Sequence, residues 1–189
     1  MRKFLGVTAF GLLLLSPAFG AKKDNDHNDA FIPGDVNENK ITQEVRHRLV
    51  TLPYYGVFDD LAFRVDGSTV TLLGQVAQPY LKSDAENVTK KVEGVTRVVN
   101  NIEVLPLSPM DDRLRLELAR AIYGAPQLQK YSLDPAKPIR ITVVNGNVTL
   151  SGVVDTKADR DVAGLRANGV PGAFKVVNNL QVAGSEKGS

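Results

Sequence analysis

The sequence predicts an α+β protein made of two tandem α-β-β-α-β domains, each a three-stranded mixed sheet with two helices on one face. Three observations lead there. The run VTLLGQV at residues 70–76 returns as VTLSGVV at 148–154, and GVTRVVNNIEV at 94–104 returns as GAFKVVNNLQV at 172–182, both 78 residues later. Two separated matches in one register mark a duplicated domain. In each copy, apolar residues alternate on both sides of a turn signal, which is the pattern of a hairpin with one buried face. Before and after each hairpin, apolar residues recur every three or four positions, which is the pattern of a helix with one buried face.

Ile41, Val45, Leu49 and Leu52 put the first helix before Pro53, which ends it. Leu61, Phe63 and Val65, then Val70 and Leu72, form the first hairpin around Asp66-Gly67-Ser68-Thr69. Gly74 closes the second strand, where glycine suggests a bulge or close approach of the following helix. A second helix is expected over 79–93, with Leu81, Ala85, Val88 and Val92 inward, and a last strand over 96–105 after Gly94. The second copy opens with Ser108-Pro109-Met110-Asp111: a capping serine, a proline at the first helical position and an acid at the positive end of the dipole. Leu114, Leu118 and Ile122 then mark the inward stripe of a helix over 109–123. Ile139, Ile141 and Val143 face Val148 and Leu150 across Asn145-Gly146, the strongest short hairpin signal because both central residues need positive φ. Gly152 repeats Gly74. A helix over 155–168 carries Val162, Ala163 and Ala167 inward, and Gly172 precedes a last strand over 174–183. The strand–helix–strand crossover should be parallel, so each sheet is mixed. A unit of ~65–70 residues has a marginal core, so packing between the copies is an expected source of stability.

The chain of 189 residues carries 23 basic and 21 acidic residues, two histidines and no cysteine. Without cysteine there is no disulfide, thiolate nucleophile, zinc-thiolate site or acylatable lipobox. A basic start, an uncharged apolar run over 4–15 and small residues ending at Gly20 have the layout of a secretory signal peptide over 1–20, with cleavage after Gly20. Loss of Arg2 and Lys3 leaves acids and bases equal in number, so nothing in the net charge argues for nucleic acid. The organisation expected is a flexible polar tail over 21–36, a first domain over 37–105, a short Pro-containing linker over 106–109, a second domain over 110–184 and a disordered C-terminus over 185–189.

A helix, then V-x-(D/N)-G-x-V-T-L-x-G, a second helix and a closing G-V-x-x-V-x-N-x-I-x-V resemble the BON domain. The residues that carry this are 65–74 with 94–104, and 143–152 with 172–182. Gly67, Gly74, Gly94, Asn145, Gly146, Gly152 and Gly172 are the structural turn residues of the pattern, and none of them is a reacting group. The resemblance implies a non-enzymatic protein of the bacterial periplasm, binding anionic phospholipid headgroups or envelope proteins in envelope maintenance or in osmotic and other stress protection. The alternative it implies is a chaperone-like protein that binds exported unfolded client polypeptides. With no cysteine at the cleavage site, the chain departs from the lipoprotein branch, and any membrane contact must come from the folded domains.

The candidate contact face lies on helix 109–123. At about 100° per residue, Leu116 stands about 200° and Tyr123 about 180° from Leu114. Both are expected on the outer face, with Arg113 and Arg120 beside them, a mixture suited to the headgroup boundary. The competing expectation is that Leu116 and Tyr123 pack on the first domain or on the loop over 127–131. No catalytic, cofactor or metal constellation is legible. Asp59-Asp60 is expected in a solvated loop, and Asp111-Asp112 in the first turn of a helix. Asn100-Asn101 and Asn178-Asn179 are expected to bond to loop backbone.

Overall fold

The computed structural model describes residues 27–30, 32, 39–134 and 137–184. The signal peptide and the C-terminus expected over 185–189 lie outside these residues. In the first domain the order is β1 (Asn28–Asp29), α1 (Lys40–Val50), β2 (Asp60–Asp66), β3 (Thr69–Val76), α2 (Pro79–Thr89), β4 (Arg97–Asn100) and β5 (Glu103–Val104). The second domain runs α3 (Pro109–Tyr123), a 3-10 turn (Pro126–Leu128), α4 (Gln129–Leu133), β6 (Ile139–Val144), β7 (Asn147–Val154), α5 (Lys157–Asn168), β8 (Lys175–Asn178) and β9 (Gln181–Val182). Both hairpins are antiparallel, and both crossovers return parallel, β4 and β5 on β3 and β8 and β9 on β7. The predicted α+β class and its mixed sheets are therefore observed; the three-stranded count is corrected, because β1 adds an edge strand and each last strand is in two pieces, giving five and four strands, and the second domain carries α4 as a third helix.

Local chemistry sets the element ends. Asn39, Ser108 and Thr156 each cap a helix by accepting the backbone N–H three residues on. α2 stops at Thr89, short of the predicted 93, although Val92 beyond it is still buried. The last strand of each copy is broken in the middle by an asparagine. The Asn100 amide donates to Lys82 O of α2 at 2.8 Å and accepts from Ile102 N at 3.2 Å. Asn178 does the same with Arg160 O of α5 at 2.7 Å and Leu180 N at 3.3 Å. Each side chain thus bonds the loop backbone at the break, as expected, and a helix carbonyl besides. The parallel register continues unshifted past the break.

Gly74 and Gly152 have φ of +106° and +104°. The close neighbour differs from the expectation: it is the start of the preceding strand, not the following helix. A Cβ at Gly74 would stand 2.1 Å from Asp60 O, and one at Gly152 1.9 Å from Pro138 O.

Two further expectations are corrected. The tail over 21–36 is not flexible throughout, because Asn28 and Asp29 pair with Phe63 and Ala62 of β2 and Ala30 is buried in the first core. The segment expected as a loop over 127–131 is helical: Leu128 and Tyr131 are buried, and Tyr131 Oη donates to Asp159 Oδ2 at 2.8 Å while accepting Asp155 N at 2.7 Å.

Two apolar cores result, one per domain. The loop after α1 joins them: Val57 and Phe58 pack on the second core, and Ile141 N of β6 donates to Val57 O at 2.9 Å.

Candidate surface-contact site

α3 buries Asp111, Leu114, Arg115, Leu118 and Ile122. At about 100° per residue these five positions centre roughly 55° from Leu114, and Leu118 and Ile122 alone already set most of that rotation. Arg115 donates to Val143 O at 2.6 Å and pairs with Asp112. Asp111 accepts the N–H groups of Asn145 and Gly146, both at 2.9 Å. These two charged residues tie α3 to the second hairpin, and the cap that the sequence offered is only part of what Asp111 does.

The rotation decides what remains outside. Arg113, Leu116 and Arg120 are exposed, as expected. Tyr123 is not, and its placement on the outer face is corrected. It is half-buried against the second core, where its Oη donates to Ile139 O at 2.7 Å and accepts Ile139 N at 3.2 Å. Burial pushes its phenol above the usual range. Tyr123 lies on the flank of the rotated stripe, and its length lets it reach back to β6.

Sequence reasoning missed two residues that belong with Leu116. Leu107 is 97% exposed, Met110 83% and Leu116 49%. Leu107 precedes the capping Ser108, the position that packs on the fourth helical residue when a hydrophobic staple forms. That fourth residue is Asp112, so Leu107 has no apolar partner there. The absence of a staple was legible in the sequence. Leu116, Arg113 and Arg120 are exposed on the outer side of α3 with Glu117 half-buried among them, and Leu107 and Met110 are exposed at its N-terminal end.

The corresponding helix of the first domain is different. His47 and Gln43 are exposed and Val50 is half-buried, while Arg46 is engaged with the backbone of residues 29–32. The turn residues named above all have positive φ, from +51° at Asn145 to +106° at Gly74. Asp59 is not solvated, contrary to expectation. It is buried and accepts Gly56 N at 2.8 Å and Ala77 N at 2.7 Å. Burial pushes its carboxyl up, against the pull of those two amides and of Arg140 and Arg115. Asp60, half-exposed at the start of β2, is also pushed up by burial. Among the described residues no three His, Cys, Asp or Glu side chains are placed to hold a metal, and no helix is long and apolar enough to cross a membrane.

The fold and this face define a class: a duplicated α+β protein that presents apolar and basic side chains on one helix of its second copy. Residues 37–106 and 117–184 each match the BON domain, and the chain belongs to that family. It is 28% identical over 163 residues to osmotically-inducible protein Y of Escherichia coli (strain K12), covering 86% of this chain and 80% of that one. Among solved structures it matches the C-terminal domain of CdsD, a structural protein of the type III secretion system of Chlamydia trachomatis. That match has 15% identity and a TM-score of 0.29, over 78% of this chain and 66% of that one.

Proposed function

We propose that this chain is a non-enzymatic protein of the bacterial periplasm that binds anionic phospholipid surfaces, in envelope maintenance or protection against osmotic stress. The observation that carries the reading is the exposed trio Leu107, Met110 and Leu116 beside Arg113 and Arg120. Apolar side chains at the acyl boundary with arginines at headgroup level are the composition of an interfacial helix. Similarity to an osmotically-inducible protein supports the stress role, and the signal-peptide layout of residues 1–20 supports an exported location. Without cysteine there is no acyl anchor, so the contact is reversible and made by folded surface.

The test is flotation with liposomes of phosphatidylcholine, with and without phosphatidylglycerol. The protein should float only with the anionic lipid, and less as salt rises. Each arginine contributes ~1 kcal/mol near such a surface, so Arg113→Glu and Arg120→Glu should each weaken binding about tenfold. Leu107→Asp and Met110→Asp should weaken it at any salt. Absence of flotation at low salt overturns the reading. Suppression of the aggregation of an unfolded outer-membrane protein in lipid-free buffer would then favour the chaperone-like role.

A further inference from the structure

The outer edge of the first hairpin is filled by the chain's own upstream segment. Asn28 and Asp29 pair antiparallel with Phe63 and Ala62. Ala30 N donates to Leu61 O at 2.9 Å, and the Ala30 methyl is buried in the first core. From α1, the Arg46 guanidinium donates to the carbonyls of Asp29 and Ile32, with Ala30 O 3.5 Å away, and it lies 5.4 Å from the centroid of the Phe63 ring. These bonds all fall on main-chain groups of the segment. A strand edge together with an arginine that holds consecutive carbonyls recognises an extended backbone with little regard to its side chains.

The second domain also receives an upstream segment on this edge, with its parts supplied differently. Ile141, the counterpart of Phe63 at the 78-residue offset, donates to Val57 O at 2.9 Å. Arg140 donates to Gly56 O at 2.7 Å and lies 4.8 Å from the Tyr55 ring centroid. Both copies thus take main chain on the outer edge of their hairpin; in the first the arginine comes from α1 and lies over a ring of the receiving strand, in the second it comes from the receiving strand and lies over a ring of the inserted loop. The two occupants differ in strength. The loop on β6 is internal to the chain and places Val57 and Phe58 on the second core. The segment on β2 is a two-residue strand that, among the described residues 28–30, fully buries only Ala30, and so short a strand adds little stability of its own.

We propose that the β2 edge with Arg46 is a strand-accepting site for an extended polypeptide, occupied at rest by residues 28–30 and able to exchange them for a partner segment with a small residue at the Ala30 position. The site lies in the first domain, so it is separate from the α3 face and does not depend on the lipid reading. Self-occupancy acts as a competitor: a site filled about nine-tenths of the time by its own segment shows a partner about tenfold weaker apparent affinity.

The probe is a fluorescent peptide with the sequence of residues 26–33, titrated into the full chain and read by anisotropy. Ala30→Pro removes the N–H given to Leu61 O and should vacate the edge. This variant should bind the peptide at least tenfold more tightly than the unaltered protein. Adding Arg46→Ala should reverse that gain, and a peptide carrying proline at the Ala30 position should not bind. Binding by Ala30→Pro no tighter than by the unaltered protein overturns the proposal, as does tight binding that survives Arg46→Ala. Should circular dichroism show Ala30→Pro unfolded, hydrogen exchange in the unaltered protein decides. The amides of residues 28–30 should exchange at least a hundredfold faster than those of β3, and equal protection overturns the proposal.

Discussion

Gly74 and Gly152 occupy the same point in each copy, and two independent constraints act there. Their φ near +105° is costly for any residue with a Cβ, and the carbonyl of Asp60 or Pro138 fills the space a Cβ would take. Either constraint alone costs about 1–3 kcal/mol. Gly152→Ala should therefore lower unfolding stability by at least ~2 kcal/mol, measured by urea denaturation. Gly67→Ala, at a positive φ with open space around it, should cost about 1 kcal/mol. Equal losses in the two variants would show that the backbone angle alone sets the requirement. The sequence marked both glycines, because the repeat placed them at matching positions. It did not reveal what presses on them, because the carbonyl comes from the neighbouring strand and register is needed to find it. Asp59 fails in the opposite way: two adjacent acids read as solvated, and only the returning strand end at Ala77 shows why one of them is buried.

At the scale of the element, α3 shows how a correct helix can carry a misread face. Its limits, its cap and its proline followed from the sequence, and Leu114, Leu118 and Ile122 were correctly inward. Tyr123 was placed by its angle from Leu114, which is an edge of the stripe and not its centre; Asp111 and Arg115 are inward as well. Both are buried because the hairpin turn offers them backbone partners: two N–H groups for Asp111 and the Val143 carbonyl for Arg115. Asp111→Ala would leave the N–H groups of Asn145 and Gly146 without their acceptor. One of them, Gly146, is buried. An orphaned buried donor costs about 1–3 kcal/mol, and a bond to a charged acceptor about 1.5–3. The expected loss is about 2–4 kcal/mol by thermal or urea unfolding. Asp112→Asn, which removes the charge near the helix start but keeps an oxygen for the buried Arg115, should cost under 1 kcal/mol. A comparable loss at both positions would mean that the helix dipole, and not the turn, is what Asp111 serves.

The whole molecule depends on a seam that neither copy contains alone. Arg140 of β6 is almost fully buried, donates to Gly56 O of the first domain and lies over Tyr55. It also pulls down the carboxyls of Asp59 and Asp60, which burial has pushed up. The repeat made two domains legible and their small size made mutual packing an expectation. The seam itself was not legible, because an arginine in a strand otherwise patterned as Ile-x-Ile-x-Val reads as an outward residue. Its partners lie some eighty positions upstream, in a loop whose path no periodicity fixes. The seam has a pH signature with a definite sign. In Arg140→Met the two carboxyls lose their cation, and their values in the folded protein rise further above the ~3.9 of an unfolded aspartate. A raised carboxyl favours the folded state fully below its unfolded value and loses that contribution as pH rises through its folded value. The variant should therefore be destabilised by roughly 2–4 kcal/mol at pH 7, where both carboxylates must be held ionised without Arg140. Part of that deficit should disappear near pH 4. The measurement is the difference in thermal midpoint between Arg140→Met and the unaltered protein, taken at several pH values between about 4 and 7. A difference that stays constant across that range would show that Arg140 holds the seam through Gly56 and Tyr55 alone. A difference that shrinks on acidification would show that the two aspartates and the arginine act as one buried charge group joining the domains.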